Sequence, residues 1–522
     1  MKRLKAVLAV ALAVCLAVFV VLTSRWPFVY DAALIRYVNF LMAHHLAPYR
    51  DIQDYNLPGS YFFDWLVTHT LGVSALAWRV YDLLLLALAG VAMYRIARPY
   101  SRFAGFFAAM LFVFFHARDG AGQSGQRDLL ITALVLAAVA LALYEDKKDK
   151  QDKRRTLRLL LSGLCIGLAV TVKPTAAVAL PLLWLLPDTA QTLRRRSWSS
   201  LGIVFGGLLI APLAALLWLW RMHAVAAFRQ TLTVYIPFHA HMGHLGLWPL
   251  LTHCITASHG TLLLLALVLA FGDRGSELRG LRVLLGAGMI YGLISYFVQG
   301  KGYPDHRYPF AAFLFLFAAV EFTHALRWPG YRRMMGVAGL LFGTVLSGLS
   351  LRRALREHWP GEQVAALAAD LNTLGGPALS NKVQCLDTVD GCIETLDDLR
   401  LAQSTGFVYD EFLFAAPDAM TPREAEAQAA LRRKFLSEVQ ANPPQVMAVT
   451  PRLFPSGPYG YAKLDRWPAL AALLSDCYHL ETERDFSSGR SYHRDGYRLY
   501  LRRPACMDEK EHKAGPIAPA HS

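Results

Sequence analysis

Long uncharged runs recur along this chain, and no other feature limits its fold so strongly. A first run of 17 apolar residues follows Lys2, Arg3 and Lys5, and further runs lie near 76–94, 103–116, 129–144, 159–172, 174–187, 201–220, 256–271, 283–298, 310–326 and 335–350. That makes eleven, several of them short against the ~20 residues that a helical span of the bilayer needs. Hydrophobic residues make up 55% of the chain and charged residues 18%, a balance found in integral membrane proteins rather than in soluble ones. The net charge of +14 does not point to nucleic acid, because the basic residues stand in short clusters between apolar runs. Anionic lipid and the excess of Lys and Arg on the cytoplasmic side explain such clusters.

The first apolar run reads as a retained helix, since no convincing small-residue cleavage site precedes Arg25. The stretch from Leu159 to Pro187 holds one charge, Lys173, followed by Pro174. Two short helices with Lys173 at the turn cost less than one span with a central lysine. The alternate loops that begin with residues 1–5 hold 22 Lys and Arg, against 10 in the other short loops. That excess puts the N-terminus in the cytoplasm and the loop from Tyr30 to Tyr61 outside. Arg352, Arg353 and Arg356 run against this count. Gly163 and Gly167 are spaced for close helix packing, and the mixed charges from Glu145 to Arg158 read as a solvated loop.

From Glu357 the composition becomes that of a soluble domain. A helix is expected at 361–374 and a strand at 381–387. Helix-then-strand patterns follow at 425–450 and 468–485, and a last strand at 497–501. The expected organisation is therefore a membrane part over 1–350, an extracytoplasmic α/β domain over 357–506 and a disordered tail over 507–522. Cys385, Cys392, Cys477 and Cys506 fall in that domain, where an oxidising compartment allows two disulfides.

Function is sought in the polar loops, all of which fall on the expected external side. The Tyr30–Tyr61 loop carries Asp31, Asp51 and Asp54. Others contain His116 to Gly120, Gly125 to Asp128, Lys173-Pro174, Arg221 to His259 and Gln299 to Pro309. Acids and cations gathered on one face suit transfer from an anionic lipid-linked donor, in which a carboxylate takes a proton and cations neutralise the departing phosphate. A transporter would place such groups near the midplane, within broken helices. Asp31, just after the first helix, is a candidate base, and capping of a juxtamembrane helix is the other reading. His239, His241, His244, His253 and His259 match no standard zinc spacing, so no metal and no cofactor is expected.

The order of a first helix, Asp31, then Pro48-Tyr-Arg-Asp51 and Asn56-Leu-Pro-Gly-Ser-Tyr61 resembles the first periplasmic loop of the GT-C glycosyltransferases. Gly125-Gln-Arg-Asp128, and Gly300-Lys301 followed by His306-Arg-Tyr-Pro309, extend the likeness over residues 1–330. The bacterial enzymes meant are those similar to protein O-mannosyltransferases, lipid A aminoarabinose transferase and rhizobial galacturonosyltransferases. The resemblance implies an α-helical polytopic membrane enzyme of the bacterial inner membrane, taking a polyprenyl-phosphate-sugar donor and inverting the sugar on transfer to a lipid, glycan or protein acceptor. It implies Asp31 as the catalytic aspartate, with Asp54 or Asp51 as a second acid. Asn56 stands where the aminoarabinose subfamily has glutamate. Lys301, Arg307, Tyr308 and Lys173 match positions that reach the donor phosphate, with interfacial anchoring as the alternative. Arg127 and Asp128, with His306, either share that role or shape their own loops. A flippase and a non-catalytic membrane scaffold are the rival classes.

Overall fold

The computed structural model describes residues 1–143, 152–183, 198–273, 277–357, 361–455, 460–487 and 494–506. The expected tail from Met507, the residues Arg194 to Arg196 and the first half of the charged run, 145–151, lie outside the described residues, while Asp152 to Arg158, expected in a solvated loop, begin a helix. In chain order the helices are α1 (Lys2–Leu22), α2 (Asp31–Ala43), α3 (Pro58–Thr70), α4 (Ala75–Ala97), α5 (Arg102–Asp119), α6 (Arg127–Leu143), α7 (Asp152–Val172) and α8 (Trp198–Arg221). Then come α9 (Val225–Gln230), α10 (Ile236–His241), α11 (Leu247–Cys254), α12 (Ala257–Gly272), α13 (Arg279–Gln299), α14 (Tyr308–Ala325) and α15 (Tyr331–Arg356). The last four are α16 (Glu362–Leu374), α17 (Cys392–Leu399), α18 (Pro422–Ala441) and α19 (Pro468–Cys477), interleaved with strands β1 (Val383–Leu386), β2 (Val446–Val449), β3 (Tyr478–Ser487) and β4 (Arg494–Arg502).

The chain divides into two compact units. The first comprises Met1–Phe28, Asn56–Met222 and His244–Trp359. Among the described residues it is mainly helical, and ten of the eleven expected apolar segments fall on its α-helices, while the segment expected at 174–187 is described only over Pro174–Leu183, as a 3-10 stretch. Seven helices are long and apolar enough to cross a membrane, or eight if α11 and α12, bent by 72°, make one span. The count of eleven is thus not reproduced by length and composition, because segments such as those in α5 and α6 are short or bear charges near their ends. The chain is nonetheless a multi-pass membrane protein. The lysine–proline step acts as expected: α7 stops at Val172, and a 3-10 segment, Pro174–Leu183, follows Lys173. Gly163 and Gly167 face the backbone of α8 so closely that a Cβ on either would meet a carbonyl, of Val204 or Leu208. Only glycine admits that approach.

The second unit comprises Val29–Tyr55, His223–Gly243 and Pro360–Ser522. Its sheet has the order β1-β2-β4-β3, with β1 parallel to β2 and the other two pairings antiparallel. The expected helices and strands are all present, and α17 is an addition that the sequence pattern did not suggest. Helix α18 starts on a capping box: Thr421 accepts from the Glu424 backbone, and Glu424 accepts from the Thr421 backbone. Its apolar face, Ala427, Leu431, Phe435 and Val439, packs into a core with Met447, Val449, Phe407 and Trp467. Cys385 bonds Cys392, and Cys477 bonds Cys506.

The first loop is an integral part of this unit. Arg36 of α2 pairs with Asp397 of α17 at 3.0 Å, and the Tyr37 hydroxyl donates to the Leu401 carbonyl and accepts from the Gln403 backbone. Farther on, the Gln53 backbone donates to the Gly406 carbonyl at 2.7 Å, while Lys434 holds the Arg50 carbonyl. These bonds fix the stretch that carries Asp51 and Asp54.

Candidate active site

In the first unit, three helix starts and turns bring charge to one place. Asp128 sits in the first turn of α6, Lys173 at the break after α7, and Gln299 at the end of α13, where Gly300 takes a left-handed conformation (φ 66°) and turns the chain. Lys173 donates to Asp128 and, at 2.7 Å, to the Gln299 side chain, which also donates to Asp128 at 3.3 Å. His306 is buried close by, and the charges acting on it are those of Lys173, Asp128, Arg127 and Lys301. Arg127 also donates to the side chain of Asn56. The structure therefore brings together five of the residues singled out from the sequence: Arg127, Asp128, Lys173, Lys301 and His306.

Asp128, Asp305 and His306 each turn one ligand atom within 4.8 Å of the others, as a metal site would. The charges argue otherwise. Lys173 already occupies Asp128, and three cations stand against two carboxylates. A further cation would be repelled, whereas an anion would complete the balance.

Arg307 and Tyr308 are turned to other partners in the same unit. Arg307 pairs with Asp119 at 2.8 Å. The Tyr308 hydroxyl lies 3.0 Å from His116 Nδ1, and His116 Nε2 lies 3.2 Å from Asp82, which also pairs with Arg79. The Arg79 guanidinium is stacked 4.4 Å from the centre of the Trp26 ring.

The three loop acids belong to the second unit, and their settings differ. Asp31 is half-buried in the first turn of α2, where the positive end of the helix favours a carboxylate. The residue before it, Tyr30, has a φ of +58°, a strained backbone for a non-glycine. Arg452, 5.5 Å from its ring centre and bonded to its hydroxyl, holds it there. Asp54 is buried, and one of its oxygens accepts from the Tyr55 backbone at 2.6 Å. Asp51 serves its own turn, accepting from the Ala47 backbone and from Arg50, and the Arg50 bond holds its carboxyl below the usual range.

Tyr55 is the centre of this group. Its ring lies between His239 at 4.3 Å and Tyr409 at 4.8 Å, and Phe454 stacks on His239 in turn. Burial, then the charges of Glu411, Tyr409, Asp31 and Asp54, push the Tyr55 hydroxyl well above its ordinary pKa, which keeps it protonated as a hydrogen-bond donor among carboxylates. Two of the histidines singled out from the sequence bond carboxylates: His239 bonds Glu411 at 2.8 Å and His241 bonds Glu424 at 3.0 Å.

Set beside solved structures, the chain aligns along almost its whole length with ArnT from Cupriavidus metallidurans bound to undecaprenyl phosphate. The TM-score is 0.58 at 14% identity, over 97% of this chain and 99% of that one. This chain has the fold of the GT-C membrane glycosyltransferases. The fold that the resemblance implied is thereby borne out. Arabinofuranosyltransferase AftD from Mycobacteria matches with a TM-score of 0.56 at 16% identity, over 94% of this chain and 39% of its own. The oligosaccharyltransferase AglB from Archaeoglobus fulgidus, in complex with an inhibitory peptide and a dolichol-phosphate, matches at 0.52 and 10%, over 97% of this chain and 75% of its own. By sequence, residues 57–220 match the family model described as dolichyl-phosphate-mannose-protein mannosyltransferase. No curated protein matches the sequence.

Within this GT-C fold, several polar groups escaped the sequence reading. Asp82 lies inside an apolar run but three residues after Arg79, a spacing that puts opposite charges on one helix face and signals a buried pair. Tyr55 and Glu411 gave no comparable signal, because their partners are remote in sequence.

Proposed function

We propose that the protein is a glycosyltransferase of the bacterial inner membrane, moving a sugar from a polyprenyl-phosphate carrier to an extracytoplasmic lipid, glycan or protein acceptor. The observation that carries this reading is the cation excess of Arg127, Lys173 and Lys301 around Asp128 and His306, at helix ends and turns of a membrane-spanning unit. A phosphate on a lipid tail fits both the charge and the setting. The full-length fold match to ArnT, solved with undecaprenyl phosphate, supports it.

In this reading Lys301 and Lys173 meet the donor phosphate. The acceptor hydroxyl attacks the anomeric carbon, the bond from that carbon to the phosphate oxygen breaks, and polyprenyl phosphate departs with one more negative charge. Asp31 takes the acceptor's proton, and Asp54 is the second acid of the loop. One displacement inverts the sugar and leaves no covalent intermediate. The N-terminus is cytoplasmic and the α/β domain over 357–506 extracytoplasmic, as the Lys and Arg distribution supports.

The test is sugar transfer in proteoliposomes supplied with polyprenyl-phosphate sugars, comparing the parent with Asp31→Asn, which removes a charge and little else. Loss of transfer by about 10²–10⁴-fold in a variant that keeps the parent's melting temperature supports the base assignment. Equal transfer by both proteins refutes it, and a parent inactive with every donor favours the flippase or scaffold.

A further inference from the structure

Arg307 stands in the segment that carries Lys301 and His306, yet its guanidinium is committed to protein oxygens at each nitrogen. Nη2 donates to Asp119 Oδ1 at 2.8 Å, Nη1 to the His253 carbonyl at 3.1 Å and Nε to the Pro304 carbonyl at 3.2 Å. The Phe115 ring lies 5.1 Å below it. These bonds tie the 304–307 turn to the end of α5 and to α11. The next residue, Tyr308, is held by His116, and through it by Asp82. Upstream, the Leu245 backbone donates to the Gly300 carbonyl at 2.8 Å. The segment is thus braced on both sides of Lys301 and His306.

Moving Arg307 onto a ligand would strand Asp119. That carboxylate is buried, and its second oxygen already lacks a hydrogen-bond partner. An uncompensated buried charge is costly, so the pair resists separation.

We infer that Asp119 is a positioning residue for the Gly300–Tyr308 segment and that Arg307 acts with it as a strut, not as a ligand of the donor phosphate. The inference rests on the reading of the Lys301 cluster as a phosphate site. Asp119 acts through Arg307 on the placement of Lys301 and His306, so loss of either partner loosens the same turn.

The experiment is a double-mutant cycle on the full chain in detergent: parent, Asp119→Asn, Arg307→Gln and the double variant. Two probes are titrated, undecaprenyl phosphate and the uncharged undecaprenol. Each single variant is expected to bind the phosphate about tenfold more weakly, the double no more weakly than the poorer single, and undecaprenol as the parent does. The amide pair of the double variant carries no buried charge, which guards against a folding failure of either single. Overturning results are an Asp119→Asn variant that binds the phosphate as tightly as the parent while Arg307→Gln does not, losses that add in the double variant, or equal losses for undecaprenol. A parent that does not bind undecaprenyl phosphate removes the phosphate site itself and the inference with it.

Discussion

Gly406 is where a single methyl group would do the most damage to the first loop. A Cβ there would collide with the Asp51 backbone carbonyl, with the Asp51 carbonyl carbon and Ile52 Cα next in line. All three obstacles are backbone, so no side chain can swing aside. In Gly406→Ala the 51–54 stretch must withdraw by on the order of 1 Å or more to regain van der Waals contact. That movement breaks the 2.7 Å bond from the Gln53 backbone to the Gly406 carbonyl. Overpacking costs about 1–3 kcal/mol, and the lost hydrogen bond about 1 kcal/mol more. The larger consequence is chemical, because an acid misplaced by ~1 Å loses about 10²-fold in rate. The assay pairs sugar transfer in proteoliposomes with thermal unfolding, and Gly202→Ala serves as the control, since nothing lies within 4 Å of a Cβ at Gly202. If Gly406→Ala transfers sugar as fast as the parent, the 403–407 stretch does not set the position of the loop acids.

Two further expectations concern the second unit. Lys463 and Asp410 form an ion pair with neither side chain more than 1% exposed, and Lys463 also donates to the Arg452 carbonyl at 3.1 Å. Lys463→Met leaves the Asp410 charge buried alone, at a cost of about 3–5 kcal/mol. The melting temperature should fall by on the order of 10 °C, with Asp410→Asn added to it recovering much of the loss; an unchanged melting temperature would contradict this. Glu394 is partly buried on α17, and burial, then the charges of Asp398 and Asp387, push its carboxyl up to about 8. The folded chain holds this proton more tightly than the unfolded one, so the stability it lends is complete below about pH 4.5 and is lost as the pH rises to about 8. Glu394→Gln should flatten that slope and stabilise the protein at pH 8 by about 1–2 kcal/mol, read as a melting temperature followed between pH 5 and 8.

The helices of the membrane part were legible because transfer from water to hydrocarbon is decided residue by residue. Each apolar run announces its own helix, and the break at Lys173-Pro174 follows from the missing proline N–H and the expense of a lysine mid-span. The α/β domain was legible from periodicity alone. Helix α17 was missed because its eight residues are too few to show a period, and its N-terminus is held from outside the helix, by the Asp387 carboxylate accepting from the Cys392 and Ile393 backbones. The clustering of Arg127, Asp128, Lys173, Lys301 and His306 was foreshadowed by their places in polar loops. The commitment of Arg307 to Asp119, 188 residues away, was not. Which carboxylate answers which cation depends on packing, and no local pattern encodes it.

The second unit is assembled from three stretches, 29–55, 223–243 and the region after 360. This ordering has a consequence for biosynthesis. The loop bearing Asp31 leaves the ribosome early, but Asp397, Leu401, Gln403 and Gly406, which bind it, follow only after all the membrane helices. At about 10 residues per second, on the order of half a minute separates them. Throughout that interval the loop is made but has no surface to fold upon. The setting of Asp31 is therefore completed only after the membrane helices have been made, and a nascent chain stalled before α17 would hold those helices while the loop still lacked the partners that fix it.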